Sequence, residues 1–255
     1  MAYFTTEQID EWFDDLKDGV IKPDHLVEDN FGKLSLLHAV LMSEHSHLSK
    51  LNRIKSMINL GCDVDKYSGH STPISMAAQG VANGPNNLPI VKTMLDYHQK
   101  GHRSDLNIME SASGSLDEGM FEMIIKSGKV DTNVTQMKGS HILHHLVDVV
   151  DFAELISLLW KYAPDTIPNP IHRKGYSPLT KAINEGEKET ILAMLENKDA
   201  KIFGNVEFPE VIIDFDMVDR YDGDFYEDFP EMVDYASRSG KEYLLPKTIR
   251  DLFIF

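Results

Sequence analysis

The chain has 255 residues, 42% of them hydrophobic, enough to bury a substantial core in one or two domains. Its formal net charge of −16 repels phosphate backbones, which disfavours direct nucleic-acid binding and steers basic partners toward it. One cysteine, Cys62, excludes an internal disulfide framework and fits a reducing compartment. The first residues lack the basic start and apolar core of a secretory signal, and no apolar run approaches the ~18 residues that a spanning helix requires. The expectation is a soluble cytoplasmic protein with no membrane contact.

In chain order, 1–29 reads as a helical N-terminal cap. Thr5 and Gln8 have the spacing of a capping box, in which each side chain serves the other residue's backbone N–H. Ile9, Trp12, Phe13 and Leu16 form one helical stripe, ended by Gly19. Pro23 and Asp24 open a short second segment that carries Leu26 and Val27.

A pattern then recurs, clearest at 171–201. Ser177 is placed to cap a helix, and Pro178 sits where its missing N–H costs nothing. Leu179, Ala182 and Ile183 make an apolar stripe, Gly186 is expected to end the helix, and a second helix carries Ile191, Met194 and Leu195. Two such short helices cannot bury both their faces, so the pattern demands stacked copies. Positions equivalent to Ser177 are expected at Ser35, Thr72, Asn107 and His141, at intervals of 37, 35, 34 and 36 residues. The third copy lacks Thr-Pro and keeps little beyond Ala112 and its second helix. The first two copies carry extra residues between their helices, and 80–89 is expected as an exposed loop. That loop is either a binding element or an insertion tolerated because it touches nothing.

The repeat stops after Lys201. Residues 205–236 hold eleven acids against one base, Arg220, interleaved with seven aromatics. Purely solvating acidic tails are poor in aromatics, so this stretch is expected to dock onto something. Leu252, Phe253, Ile254 and Phe255 are expected to close the last copy as an exit cap.

A unit of about 33 residues built from a turn and two helices resembles the ankyrin repeat. The resemblance rests on GHSTPISMAA at 69–78 and GYSPLTKA at 175–182, both similar to the family's G-x-TPLHxAA, and on INLGCDVD at 58–65, similar to LLxxGADVN. It spans 30–201 and implies an all-α, ankyrin-like helical-repeat solenoid of about five repeats with a divergent acidic C-terminal cap at 202–255. It also implies partner binding through a concave face of fingers and first helices. The fingers would be 66–70, 137–139 and 172–176.

The candidate chemistry is thin. His141, His144 and His145 could place two imidazoles on one helical face, a spacing zinc sites use, but no further ligand set lies nearby. His144 and His38 fall where the ankyrin motif has a hydrogen-bonding histidine, so a structural role is favoured. His45 and His47 are expected in an inserted loop, facing solvent. Cys62 stands where the family has alanine and reads as a small, buried, inert residue. A helix–loop–helix calcium site centred on Gly223 fails at three ligand positions. No phosphate loop or nucleophile elbow is present, so no enzyme activity and no cofactor or metal is expected.

The expected function is therefore a protein-binding module with a basic partner. It would be an inhibitor or immunity protein against a nuclease-type toxin, or equally an effector or adaptor. The finger candidates are Tyr67, His70, Lys138, His172, Arg173, Lys174 and Tyr176. The acidic candidates are Asp216, Asp219, Asp222, Asp224, Tyr226, Glu227 and Asp228. A nucleic-acid mimic built from the acidic stretch is the alternative, with a merely solubilising cap favoured over mimicry.

Overall fold

The structure is a computed structural model, and it describes residues 4–29, 32–68, 71–80, 87–115, 119–136, 139–148, 152–185, 188–197 and 199–200. The acidic stretch at 205–236, the exit cap, Gly186 and the 81–86 part of the expected loop lie outside the described residues. Two compact units divide the chain, Met1–Val134 and a second beginning at Thr135. Among the described residues they contain eleven helices and one two-stranded hairpin.

The first unit opens with α1 (Thr6–Lys17), started by the expected capping box. The Thr5 hydroxyl accepts the Gln8 N–H and the Gln8 side chain accepts the Thr5 N–H. Ile9 and Leu16 bury the helix against α2 (Leu36–Leu41) and α3 (His47–Asn59). The short segment expected after Pro23, carrying Leu26 and Val27, is a strand. β1 (Leu26–Asp29) pairs antiparallel with β2 (Gly32–Ser35), Leu26 opposite Ser35 and Glu28 opposite Lys33. This hairpin is the finger of the first copy.

Helix pairs follow: α2 with α3, α4 (Pro73–Gln79) with α5 (Leu88–Leu95), and α6 (Ser104–Ser113) with α7 (Met120–Lys126). First helices stack on first helices, α2 on α4 and α4 on α6, and α3 lies on α5. Apolar side chains line the seams: Ile54, Met57, Ile74, Ile90, Met94, Leu106 and Ile124 are wholly buried. Each such side chain contributes about 1.5–3 kcal/mol, and no single pair could bury it alone.

Some of the extra residues expected as loops are helix. In the first copy they lengthen α3 to 13 residues. In the second, Gly80 ends α4 in the left-handed conformation at φ 75°, and α5 begins at Leu88 with Pro89 in its first turn. Buried Asn87 closes the insertion by donating its side-chain N–H to the Ala77 carbonyl at 3.1 Å.

The third copy is out of register with expectation. Its helix starts at Ser104 with Arg103 at the N-cap, and Asn107 lies inside it. The missing Thr-Pro is replaced by a carboxylate. Asp105 accepts the backbone N–H groups of Gly101 at 2.8 Å and Asp131 at 2.6 Å, which fixes the helix start earlier.

The second unit repeats the pair: α8 (Ile142–Leu146) with α9 (Ala153–Tyr162), and α10 (Pro178–Glu185) with α11 (Lys188–Leu195). Here α8 packs on α10 and α9 on α11. The expected caps hold: His141 Nδ1 accepts the Leu143 N–H at 3.2 Å, and the Ser177 hydroxyl accepts the Thr180 N–H at 3.2 Å.

Candidate functional site

Fingers are built by tight turns that end where the next first helix is capped. In the second copy, Ser68 and Ser71 bridge their backbones just before Thr72. Thr72 and Ser75 complete a capping box with bonds of 3.0 and 3.3 Å, and Thr72 is wholly buried. In the fifth, the His172 N–H bonds the Tyr176 carbonyl at 3.0 Å, with Gly175 at φ 84° making the reversal. In the fourth, the Gln136 N–H bonds the Ser140 carbonyl at 2.9 Å around Gly139 at φ 72°. A Cβ on Gly139 would lie 2.8 Å from the Ile171 carbonyl oxygen, so these two fingers touch backbone to backbone.

The turns place four of the expected finger residues differently. Tyr67 is 40% exposed, and the Arg103 guanidinium lies 4.8 Å above its ring, a cation–π contact between the second and third copies. Arg173 and Lys174 are exposed at the fifth turn. His172 is not a presented side chain. It is 9% exposed, stacked on Tyr176 with centroids 4.8 Å apart and set edge-on to His144 at 5.7 Å. Its Nδ1 accepts the Lys174 N–H at 3.3 Å and so braces the turn. His70, Lys138 and the acidic-stretch candidates at 216–228 lie outside the described residues.

The histidines are absorbed by the fold. His38 bonds the Ser35 hydroxyl at 2.8 Å, and burial holds its imidazole down at about 4 despite the opposing backbone of Ser71. Burial likewise lowers His144 to about 4, opposed by the backbone of Tyr176. Both first-helix histidines thus meet the residue just before the next copy's cap, and both are neutral at ordinary pH. His45 departs from the expected solvent-facing loop. Its side chain is 4% exposed, with Nε2 at 3.0 Å from Arg53 Nε and 3.2 Å from Asp10, and Nδ1 at 3.1 Å from the Ser43 hydroxyl. Because Arg53 also pairs with Asp10, the cluster fastens α1 to the end of α2 and to α3. His47 is half-buried and opens α3.

A buried charge cluster was not foreseen. His98 has no exposed side-chain surface and lies between two carboxylates. Its Nδ1 is 2.7 Å from Asp65, and its Nε2 bonds Asp105. Asp65 also accepts from the Ser104 hydroxyl at 2.9 Å and from the Gln99 N–H at 3.1 Å. Burial acts to lower the imidazole, but the bonds and charges of Asp105 and Asp65 outweigh it and push His98 up to about 9. Burial acts to raise Asp65, but bonds from His98, Gln99 and Ser104 hold it below the usual carboxylate range. His–Asp–Ser sets of this kind suggest nucleophilic catalysis, yet Ser104 is wholly buried and donates to Asp65 rather than to the imidazole. The cluster is a staple joining the second copy to the third. Its one sequence signal is spacing: Asp65 and His98 are 33 residues apart, one repeat.

Cys62 is buried, and burial pushes its thiol up to about 11, which removes the thiolate a nucleophile needs. It lines a 220 Å³ cleft with Lys22, Asp24, Asp63 and Lys66, a charge-balanced hollow holding no activated group. Among the described residues no group of three or more His, Cys, Asp or Glu is arranged to hold a metal ion, and no helix is long and apolar enough to cross a membrane.

No protein-family model and no curated protein sequence matches the chain. Solved structures do. The ankyrin-repeat domain of Bcl-3, a member of the IκB protein family, superposes with a TM-score of 0.54 at 16% identity, covering 75% of this chain and 82% of that one. An ankyrin-repeat domain from Acinetobacter baumannii AYE gives 0.51 at 17% identity, covering 73% and 93%. With its five helix pairs, its finger turns and these neighbours, the chain has the all-α ankyrin-repeat fold.

Proposed function

We propose that the chain is a non-enzymatic protein-interaction module that binds a specific partner through its finger tips and its acidic stretch. The observation that carries this reading is how the charged and aromatic groups divide. His38, His45, His98, His144 and Asp105 are consumed by internal bonds or burial, while Tyr67, Arg103, Arg173 and Lys174 stand at the turns. A scaffold that spends its reactive groups on its own folding and presents Arg and Tyr at its edge is suited to recognition rather than to chemistry.

The acidic stretch gives the reading its finer form. Its eleven acids and seven aromatics fit a basic protein surface, so the module would neutralise or recruit a basic partner, as an immunity protein does a nuclease-type toxin. The test is capture of partner by the full chain, by Arg173→Glu/Lys174→Glu, and by a chain lacking 205–236. The finger variant should keep its helicity and lose capture, and the deletion should weaken it with a reduced salt dependence. Capture unchanged in both would refute the assignment of both surfaces.

A further inference from the structure

We infer that the finger edge takes an acidic peptide segment, the opposite charge preference from that of the acidic stretch. The inference rests on the protein-binding reading above and names the class of ligand for the fingers.

In the first unit, the Ser68 hydroxyl donates to the Lys33 carbonyl, which lays the second finger against the first. Tyr67 follows next to it, and Arg103 of the third copy covers the Tyr67 ring. Lys33, Tyr67 and Arg103 are all exposed, one from each of three successive copies, with Arg103 seated on Tyr67. In the second unit, Arg173 and Lys174 stand exposed on the fifth finger, and their charges act on His172 beneath. Each unit therefore carries a cationic finger edge, in a chain whose formal net charge is −16.

The neighbouring acids do not neutralise these edges. Glu28 lies 3.5 Å from Lys33, but both side chains are well over half exposed, so the pair is weak and gives the lysine up readily. Near the fifth finger, Asp148 is engaged by Lys181. Arg103 keeps its fork of N–H donors in place through the ring contact, which suits bidentate capture of a carboxylate. The Tyr67 face beside it offers apolar contact, and Tyr with Arg is the pairing that dominates interface energetics. Nucleic acid fits less well, because its affinity comes from many phosphate contacts and the chain as a whole repels it.

The experiment uses the full chain and three fluorescent probes: a Glu/Asp-rich peptide carrying leucine, its Lys-rich counterpart, and a single-stranded oligouridine. The acidic peptide should bind more tightly than the other two, with affinity falling as salt rises. Lys33→Glu/Arg103→Glu and Arg173→Glu/Lys174→Glu should each weaken it about tenfold or more with unchanged helicity. Preference for the basic peptide or the oligonucleotide overturns the inference, as does acidic-peptide binding that both variants retain. Preference for the basic peptide would leave the protein-binding reading standing, which capture of the partner decides separately.

Discussion

His98→Gln should destabilise the first unit by several kcal/mol, and the loss should shrink as pH rises. The side chain is wholly buried between Asp65 and Asp105, so removing the imidazolium leaves two carboxylates without a counter-charge. Breaking a buried ion pair from one side costs about 3–5 kcal/mol. The pH dependence follows from the imidazole itself. A rise from the ordinary 6.5 to about 9 is worth about 3 kcal/mol of preference for the charged form. The folded value is raised, so this stabilisation is complete below pH 6.5 and is lost as pH climbs through about 9. Lys50 bends both curves alike: burial lowers it to about 8, and its penalty is relieved above that pH. The difference between wild type and variant cancels Lys50. Urea unfolding followed by circular dichroism should give a gap of about 3–5 kcal/mol at pH 6.5, narrowing by about 3 kcal/mol by pH 9.5. A gap below about 1 kcal/mol, or one independent of pH, would refute a charged staple and leave a neutral packed histidine.

Two further outcomes test the fingers and the core. Gly139→Ala should cost the second unit about 1–3 kcal/mol more than Gly101→Ala costs the first, measured by thermal denaturation. Both glycines have positive φ, but only Gly139 would drive a Cβ against a neighbouring carbonyl. Cys62 should resist alkylation by iodoacetamide at pH 8 in the native chain and react promptly in denaturant, because burial raises its thiol to about 11. Rapid native labelling would contradict the packing around it.

The local code was readable because it is short-range. Thr5 with Gln8, Thr72 with Pro73, and Ser177 with Pro178 announce helix starts through groups within a few residues of one another, and all three cap as expected. Apolar periodicity likewise marked Ile191 and Met194 as core, and both are fully buried. Where a copy lost its local signal, expectation drifted. Asn107 was four residues late as a cap because the start of α6 is set by Asp105 through Gly101 and Asp131, bonds no sequence window contains. His45 lies in the loop between α2 and α3 as expected but turns inward, because its partners Asp10 and Arg53 come from α1 and α3.

The sequence by itself determined the repeat, its caps and its apolar faces, since each depends on neighbours along the chain. Tertiary structure alone decided which polar groups remain for a partner. His172 looked as available as Arg173, yet stacking on Tyr176 and an edge-on contact with His144 fold it inward, while the turn leaves Arg173 outside. His98 carried no motif at all. It acquires its charge only when stacking brings two carboxylates from different copies to its two nitrogens, because a pKa is a property of surroundings and not of a residue.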